Sequence, residues 1–153
     1  METDNSPPSL ESHLGYWLRF VSNSVSGAFA QKLAAQGVSV AEWVVMRLIH
    51  GRPDVSASSI ADEMGMTRGA ISKILDRLEI RGAIERKPLP NDARGQMLKL
   101  TAKGARQLPT LAAMADRNDA EFFGELSKAD HAALLRILKQ IAARKKLKTI
   151  PVD

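Results

Sequence analysis

Cysteine is missing from this chain of 153 residues, and long apolar runs are missing too. Without cysteine there is no disulfide framework, no thiolate metal site and no thiol redox switch. No apolar run approaches the roughly 20 residues that a membrane-spanning helix needs. The acidic, proline-containing first residues also lack the positive region and apolar core of a secretory signal. We therefore expect a cytoplasmic protein.

Motifs of the common enzyme classes are also missing. The sequence has no glycine-rich phosphate loop, no G-x-S-x-G and no H-E-x-x-H. Its three histidines, His13, His50 and His131, lie far apart in sequence and lack the spacing of metal ligands. We therefore expect neither an enzyme nor a cofactor nor a bound metal.

Basic residues are abundant, and their placement is more informative than the net charge of +5. Residues 67–103 carry a local charge of +5, and so do residues 136–153, whereas residues 1–66 and 104–135 are net negative. Such asymmetry is typical of a nucleic-acid surface. Ordinary solvation of a protein surface is the alternative, and it has more weight for the carboxy-terminal block.

Helical periodicity dominates the first third of the chain. Residues 1–8 show no period, and a long helix is predicted over residues 10–35. Ser39 and Glu42 form a capping box that opens a second helix through about Ile49. The long helix carries one apolar stripe, made of Leu14, Trp17, Leu18, Val21, Val25, Ala28, Phe29 and Leu33.

Two short helices then match the helix-turn-helix pattern. Ser56 caps the first, Ala57–Met64, and a glycine-containing turn leads into the second, residues 67–82. Thr67 and Gly82 suit the two ends of that second helix. Its apolar residues Ile71, Ile74, Leu75 and Leu78 share one face, and its other face carries Arg68, Ser72, Lys73, Asp76 and Arg77.

A hairpin with a charged tip follows this helix. Residues 83–87 and 97–100 are the predicted strands, and the segment PLPNDARG between them has turn chemistry. Arg94 would then lie at a flexible tip. A polar helix face followed at once by such a hairpin indicates a winged helix-turn-helix.

The last third is again helical. Thr101 caps a helix towards Gly124, in which Pro109 predicts a kink or a restart, and Ser127 with Asp130 caps a last helix to about Leu147. The predicted fold is mainly α, with about six helices and a two-stranded β-hairpin wing. We divide the chain into a disordered start (1–9), a winged helix-turn-helix DNA-binding domain (37–104) and dimerisation helices (10–36 and 105–148).

Two sets of residues are candidates for DNA contact. In the recognition helix, Thr67, Arg68, Gly69, Ser72 and Lys73 occupy the places that face base edges in the major groove, and Arg77 lies where it would meet phosphate. In the wing, the candidates are Asp92, Arg94 and Gly95, with Arg94 entering the minor groove. The alternatives are solvated helix charge for the first set and a plain Asx turn for the second.

Two tryptophans raise the question of a small-molecule site. Trp17 and Trp43, with Arg47 and His50 close to Trp43 in sequence, could line a pocket for a small aromatic or amphiphilic anion. Core packing is the alternative for each tryptophan.

Three segments resemble the MarR (multiple antibiotic resistance regulator) family of bacterial transcription factors: LDRLEIRGAIERK at 75–87, NDARG at 91–95 and LKLTAKG at 98–104. The resemblance implies a nucleoid-associated homodimer that binds double-stranded DNA at palindromic operators. It further implies a repressor released by a small aromatic or phenolic effector, bound at the junction of the two lobes.

Departures from the family pattern narrow this expectation. The lack of cysteine excludes the peroxide-sensing thiol mechanism of one branch of the family. The urate-responsive branch usually has an acidic residue where this chain has Val44, so we do not expect a urate-like ligand. Two other functions stay open: a winged-helix DNA-binding protein without an effector, acting as activator or architectural factor, and a winged-helix module that binds protein.

Overall fold

The computed structural model describes residues 6–152, apart from the side chains of residues 92–94. Within this part of the chain lie six α-helices, a short 3-10 helix (Leu10–Ser12) and a three-stranded antiparallel sheet. The elements are, in order, α1 Leu14–Ala34, α2 Val40–Ile49, β1 Val55–Ser56, α3 Ala57–Met64, α4 Arg68–Ile80, β2 Ile84–Leu89, β3 Asp92–Leu100, α5 Ala102–Phe123 and α6 Lys128–Arg144.

Five of the six predicted helix starts are confirmed by side-chain caps. Each of five hydroxyl side chains accepts a hydrogen bond from the backbone N–H three residues later, which satisfies a donor that the first helical turn leaves free. These caps are Ser39, Ser56, Thr67, Thr101 and Ser127.

Two predicted helix boundaries are wrong, and of the two alternatives predicted at Pro109, a kink or a restart, the restart is wrong. The first α-helix begins at Leu14 rather than residue 10, because His13 is extended and only a 3-10 turn precedes it. Helix α5 does not restart at Pro109 but runs unbroken, with its neighbours Leu108 and Leu111 buried in the core. The last helix ends at Arg144 rather than near Leu147. Of the predicted disordered start, residues 6–9 carry no helix or strand and the rest lies outside the described residues.

The wing is larger than the predicted hairpin. A third strand, β1, pairs with β3 through Val55 opposite Leu98, and so the sheet has the order β1-β3-β2. With only two residues, β1 is too short to leave an alternating pattern in the sequence. The strands β2 and β3 also reach further than expected and leave only residues 90–91 as the connection. The backbone of Arg94 therefore belongs to a strand, within a shift of register between Pro88 and Leu89.

The hydrophobic core lies between α2, α3, α4, the sheet and the first half of α5. Gly104 lets α5 approach the start of the wing, because a Cβ at this position would lie 2.1 Å from the carbonyl oxygen of Ala83. The described helices include none with the length and apolar character of a bilayer-crossing segment.

The apolar stripes of the first and last helices are mostly uncovered. In α1 only Leu33 is fully buried, whereas Trp17 is 49% and Leu14 is 87% exposed. Helix α6 has no buried residue, and its apolar side chains are between 38% and 48% exposed (Leu134, Leu135, Ile137, Leu138 and Ile141).

Candidate nucleic-acid interface

Helix α4 presents a polar face to solvent because its apolar face is fixed in the core. Ile71, Ile74, Leu75 and Leu78 are all buried. The side chains predicted to meet DNA lie on the opposite, exposed face: Thr67, Arg68, Ser72, Lys73 and Arg77. Thr67 accepts from the backbone N–H of Ala70 at 3.1 Å, so it also fixes where the helix begins.

A groove of about 520 Å³ joins this face to the wing. Arg68 and Ser72 of α4 line one side of the groove, and Gly95 and Gln96 of β3 line another. Ser58, near the start of α3, completes it, with its Oγ 3.5 Å from an Arg68 guanidinium nitrogen. The structure thus brings the start of the recognition helix and the tip-side half of the wing to one surface.

Gly69 lies exposed in the first turn of α4, and a Cβ there would meet no atom within 4 Å. Packing within the chain therefore does not require a glycine at this position. Its bare backbone is accessible to a molecule approaching from outside.

The acidic side chains of α4 are paired with the wing. The Arg86 guanidinium of β2 donates to Asp76 at 2.7 Å and to Glu79 at 3.0 Å. The hydrogen bond from Arg86 holds the pKa of the Glu79 carboxyl below its ordinary value. The same bond raises the pKa of the Arg86 guanidinium. Among the side chains that the structure describes, Arg77 has no ion pair, so this turn of the helix keeps a free positive charge.

The two remaining wing candidates, Asp92 and Arg94, have side chains that lie outside the described residues. Only their backbone can be placed, in β3, next to Gly95 and the groove.

An ion pair that the sequence analysis missed fixes the other end of α4. Arg81, which follows the helix, donates to the carboxylate of Glu42 in α2 and to the carbonyl of Gly37 before α2. The Glu42 side chain is only 7% exposed, and no hydrogen-bond partner for Arg81 Nε occurs among the described residues. The sequence analysis assigned Glu42 only to the capping box at the start of α2. No sequence pattern indicates its contact with Arg81, which lies 39 positions later.

The four residues predicted to form one aromatic pocket are not brought together. Trp17 lies in a groove of about 450 Å³ between α1, α5 and α6, whereas Trp43 lines a cavity of about 190 Å³ between α1, α2 and α5. Trp43 packs edge-on against Phe29, which is about 18 Å along α1 from Trp17 at about 1.5 Å per residue. His50 lines a third cavity, at the far end of α2. Of the predicted set, only Arg47 contacts Trp43, with its guanidinium carbon 5.7 Å from the ring centroid.

The Trp43 cavity instead has polar residues from α5. Asn118 is buried; its amide nitrogen donates to the Val25 carbonyl at 3.1 Å, and its oxygen accepts from Lys32 at the same distance. An apolar wall with a few fixed polar groups is typical of a small-molecule site. The sequence did offer a signal for this residue: Asn118 follows Leu111 and Ala115 at helical spacing, so a polar residue stands on the apolar face of α5.

Comparisons with known proteins agree with this architecture. The MarR family model matches residues 38–95. A relative from Thauera aromatica is 29% identical over 134 residues, which are 87% of this chain and 81% of that protein. Its name describes it as a transcriptional regulatory protein for the hcr operon.

Two solved structures are similar along most of the chain. A mutant of MarR from E. coli complexed with operator DNA is 26% identical, covers 84% of this chain and 92% of its own, and has a TM-score of 0.73. CouR from Rhodococcus jostii RHA1, bound to p-coumaroyl-CoA, is also 26% identical, covers 89% and 96%, and has a TM-score of 0.74. The chain therefore carries a MarR family domain over residues 38–95, and over most of its length it is similar to transcriptional regulators of that family, which are not enzymes.

Proposed function

We propose that this protein is a homodimeric repressor that binds a palindromic operator and is released by a small aromatic ligand. The observation that carries the proposal is the single surface formed by the exposed face of α4, the start of α3 and the tip-side half of the wing. The DNA complex of the similar E. coli MarR supports DNA as the partner of this surface.

The proposed contacts follow from side-chain chemistry and exposure. Arg68 and Lys73 donate hydrogen bonds to guanine O6 and N7. The hydroxyls of Thr67 and Ser72 can hydrogen-bond to either donor or acceptor groups of the bases. Gly69 lets the helix backbone approach the groove, and Arg77 meets phosphate. Arg94, between Asp92 and Gly95 in the wing, enters the flanking minor groove, whose negative potential attracts arginine.

Dimerisation is supported by the uncovered apolar faces of α1 and α6. Exposed apolar patches of this extent mark interfaces, and a second copy of the chain supplies the matching surface under a twofold axis. We therefore assign residues 37–104 to DNA binding and residues 10–36 and 105–148 to the dimer. Two recognition helices then lie about one DNA turn apart, roughly 34 Å, on a palindrome.

The Trp43 cavity is the proposed effector site. Phe29 and Trp43 supply aromatic surface, and Asn118 and Asp119 supply polar groups that can hydrogen-bond to a ligand. CouR, which is bound to an aromatic thioester in its structure, supports this class of ligand. Because Glu42 next to Trp43 holds Arg81 behind α4, a ligand that moves α2 also moves the recognition helix. Such a ligand acts only by binding the two dimer conformations unequally.

The test is fluorescence anisotropy with the intergenic DNA upstream of the protein's own gene, together with light scattering to determine the oligomeric state. We expect a dimer that binds at a palindrome and is released by one member of a panel containing salicylate, 4-hydroxybenzoate, p-coumarate and p-coumaroyl-CoA. Binding no tighter than to random DNA would contradict the repressor assignment. Specific binding that no panel member affects would contradict the effector and favour the regulator without one.

A matched pair of variants tests the site itself. Trp43→Phe should keep operator binding and weaken release by the effector about tenfold or more, since the smaller phenyl ring leaves part of the cavity wall uncovered. Trp17→Phe, in the other groove, should leave release unchanged. Equal effects of both substitutions would contradict the assignment of the Trp43 cavity.

A further inference from the structure

The carboxy-terminal segment, residues 144–152, carries a dense positive charge that the helix-turn-helix does not account for. Its first five residues, Arg-Lys-Lys-Leu-Lys, contain four cations and no acid. All four cationic side chains are exposed, and none forms an ion pair with any side chain that the structure describes. This charge is therefore available to an external anion.

The segment does not continue α6 but turns sharply away from it. Lys146 has a φ of +53°, and the N–H of Leu147 donates to the carbonyl of Ala142 at 3.0 Å, which ends the helix. The residues that follow this turn contact the helix-turn-helix.

Three residues attach the segment to α3 and to the turn before α4. Thr149 lies against Gly65, where a Cβ would be 2.7 Å from Thr149 Cγ2, so a glycine is required for this contact. The N–H of Ile150 points to the Glu63 carbonyl at 3.4 Å, and Val152 packs against the hydrophobic core. Gly65 is only two residues before Thr67, the cap of the recognition helix.

The acidic residue that the segment contacts does not cancel this charge. Glu63, whose carbonyl faces Ile150, has its carboxylate paired with Arg52 at 2.8 Å. The segment that carries the basic residues is thus attached beside the turn that leads into the recognition helix, and Glu63 does not neutralise them. A disordered charged segment would not be fixed in this way.

We propose that the carboxy-terminal segment is a second DNA contact, in which Lys145 and Lys148 bind backbone phosphates beside the recognition helix. This proposal rests on the proposed function, because it adds phosphate contacts to the same protein–DNA complex. Contacts of this kind carry no base specificity and make binding depend on salt, since each one releases condensed counterions.

The experiment compares the double variant Lys145→Gln/Lys148→Gln with the wild-type protein on a 30-base-pair duplex of mixed sequence. The slope of log K against log [KCl] should fall by about 0.9 for each phosphate that is no longer neutralised. Affinity near 0.1 M salt should fall roughly fivefold to tenfold for each of these phosphates. The matched control, Lys128→Gln/Lys139→Gln, removes the same charge from α6 itself, outside the carboxy-terminal segment, and should change the slope little.

Val152→Ser tests whether attachment matters while all four cations are kept. Its slope should lie between those of the wild type and the double lysine variant. An unchanged slope in the double variant, or an equal fall in the control, would overturn the proposal. A wild-type protein without salt-dependent binding would instead contradict the proposed function as a whole, so the two failures are distinguishable.

Discussion

The winged helix-turn-helix and the pair of helices α1 and α6 bury their apolar residues to very different extents. Side chains of α2, α3, α4 and the sheet fill a shared core, in which Ile60, Leu78 and Val45 are completely buried. On α6 none is buried, although its apolar stripe is as regular as that of α4. Amphipathic periodicity therefore predicts which face will be covered but not what covers it. The first region is complete in one chain, and the second requires a partner surface.

The largest expected effect comes from charging the uncovered face of α6. Leu134→Glu/Leu138→Glu should convert the proposed dimer into a monomer and weaken operator binding by about 100-fold or more, because two linked half-sites bind with higher avidity than one. Light scattering and anisotropy measure the two effects. The control, Gln140→Glu/Ala143→Glu, adds the same charge to the opposite face of α6 and should leave a dimer. A double leucine variant that stays dimeric would disprove the proposed interface.

Within the winged region, the Glu42–Arg81 pair should dominate the polar contribution to stability. Breaking a buried pair costs about 3–5 kcal/mol, and less where one partner is partly solvated, as Arg81 is at 29% exposure. We expect Glu42→Ala to lower the free energy of unfolding by about 2 kcal/mol. Glu63→Ala, which breaks the exposed Arg52 pair, should lower the free energy of unfolding much less in the same urea titration, because solvent screens that pair. Similar values for the two variants would mean that the burial of Glu42 is unimportant.

On the exposed face of α4, Lys73 and Arg77 should contribute to DNA binding in different ways: Lys73 to sequence discrimination and Arg77 to overall affinity. Lys73→Ala should lower affinity for the operator more than for random DNA, by about 1–3 kcal/mol of discrimination, because it faces base edges. Arg77→Ala should weaken binding to both sequences alike and reduce the salt slope by about one, as a phosphate contact does. If Lys73→Ala behaved like Arg77→Ala, Lys73 would be a phosphate contact as well.

The wing arginine should have a smaller effect. Arg94→Ala should weaken operator binding and reduce the salt slope by about one or less, since a residue that responds to groove shape releases few counterions. Lys99→Ala, near the opposite end of the same strand, is the control and should change neither quantity. An unchanged affinity and slope in Arg94→Ala would make the wing assignment wrong.

The smallest expected effect is that of Gly69→Ala, which should change the free energy of unfolding and the DNA affinity in opposite directions. Gly15 and Gly69 are each the second residue of a helix, and a Cβ on either would meet nothing within 4 Å. Either substitution by alanine should raise the free energy of unfolding by about 0.5 kcal/mol through helix propensity. Only Gly69→Ala should lower DNA affinity, because only there does the proposed complex bring DNA against the backbone. Unchanged affinity would show that the helix does not approach so closely.

Local signals predicted most of the secondary structure because the interactions behind them are local. A hydroxyl at residue 67 and a free N–H three residues later suffice to start α4, whatever lies around them. The strand β1 escaped prediction because Val55 pairs with Leu98, which is far away along the chain. The predicted pocket of Trp17 and Trp43 failed for a related reason, since two residues on neighbouring helices need not face the same cavity.

The order of helices, their caps, the polar face of the recognition helix and the placement of positive charge all follow from the amino-acid sequence alone. Its motifs also pointed to the family whose model matches residues 38–95. Tertiary packing was needed to show that Arg81 binds Glu42 behind that helix, that Asn118 enters the Trp43 cavity, and that Thr149 attaches the basic segment to Gly65. The physical reason is range: caps and periodicity act within one or two helical turns, whereas these contacts join residues that only the packing of distant elements brings together.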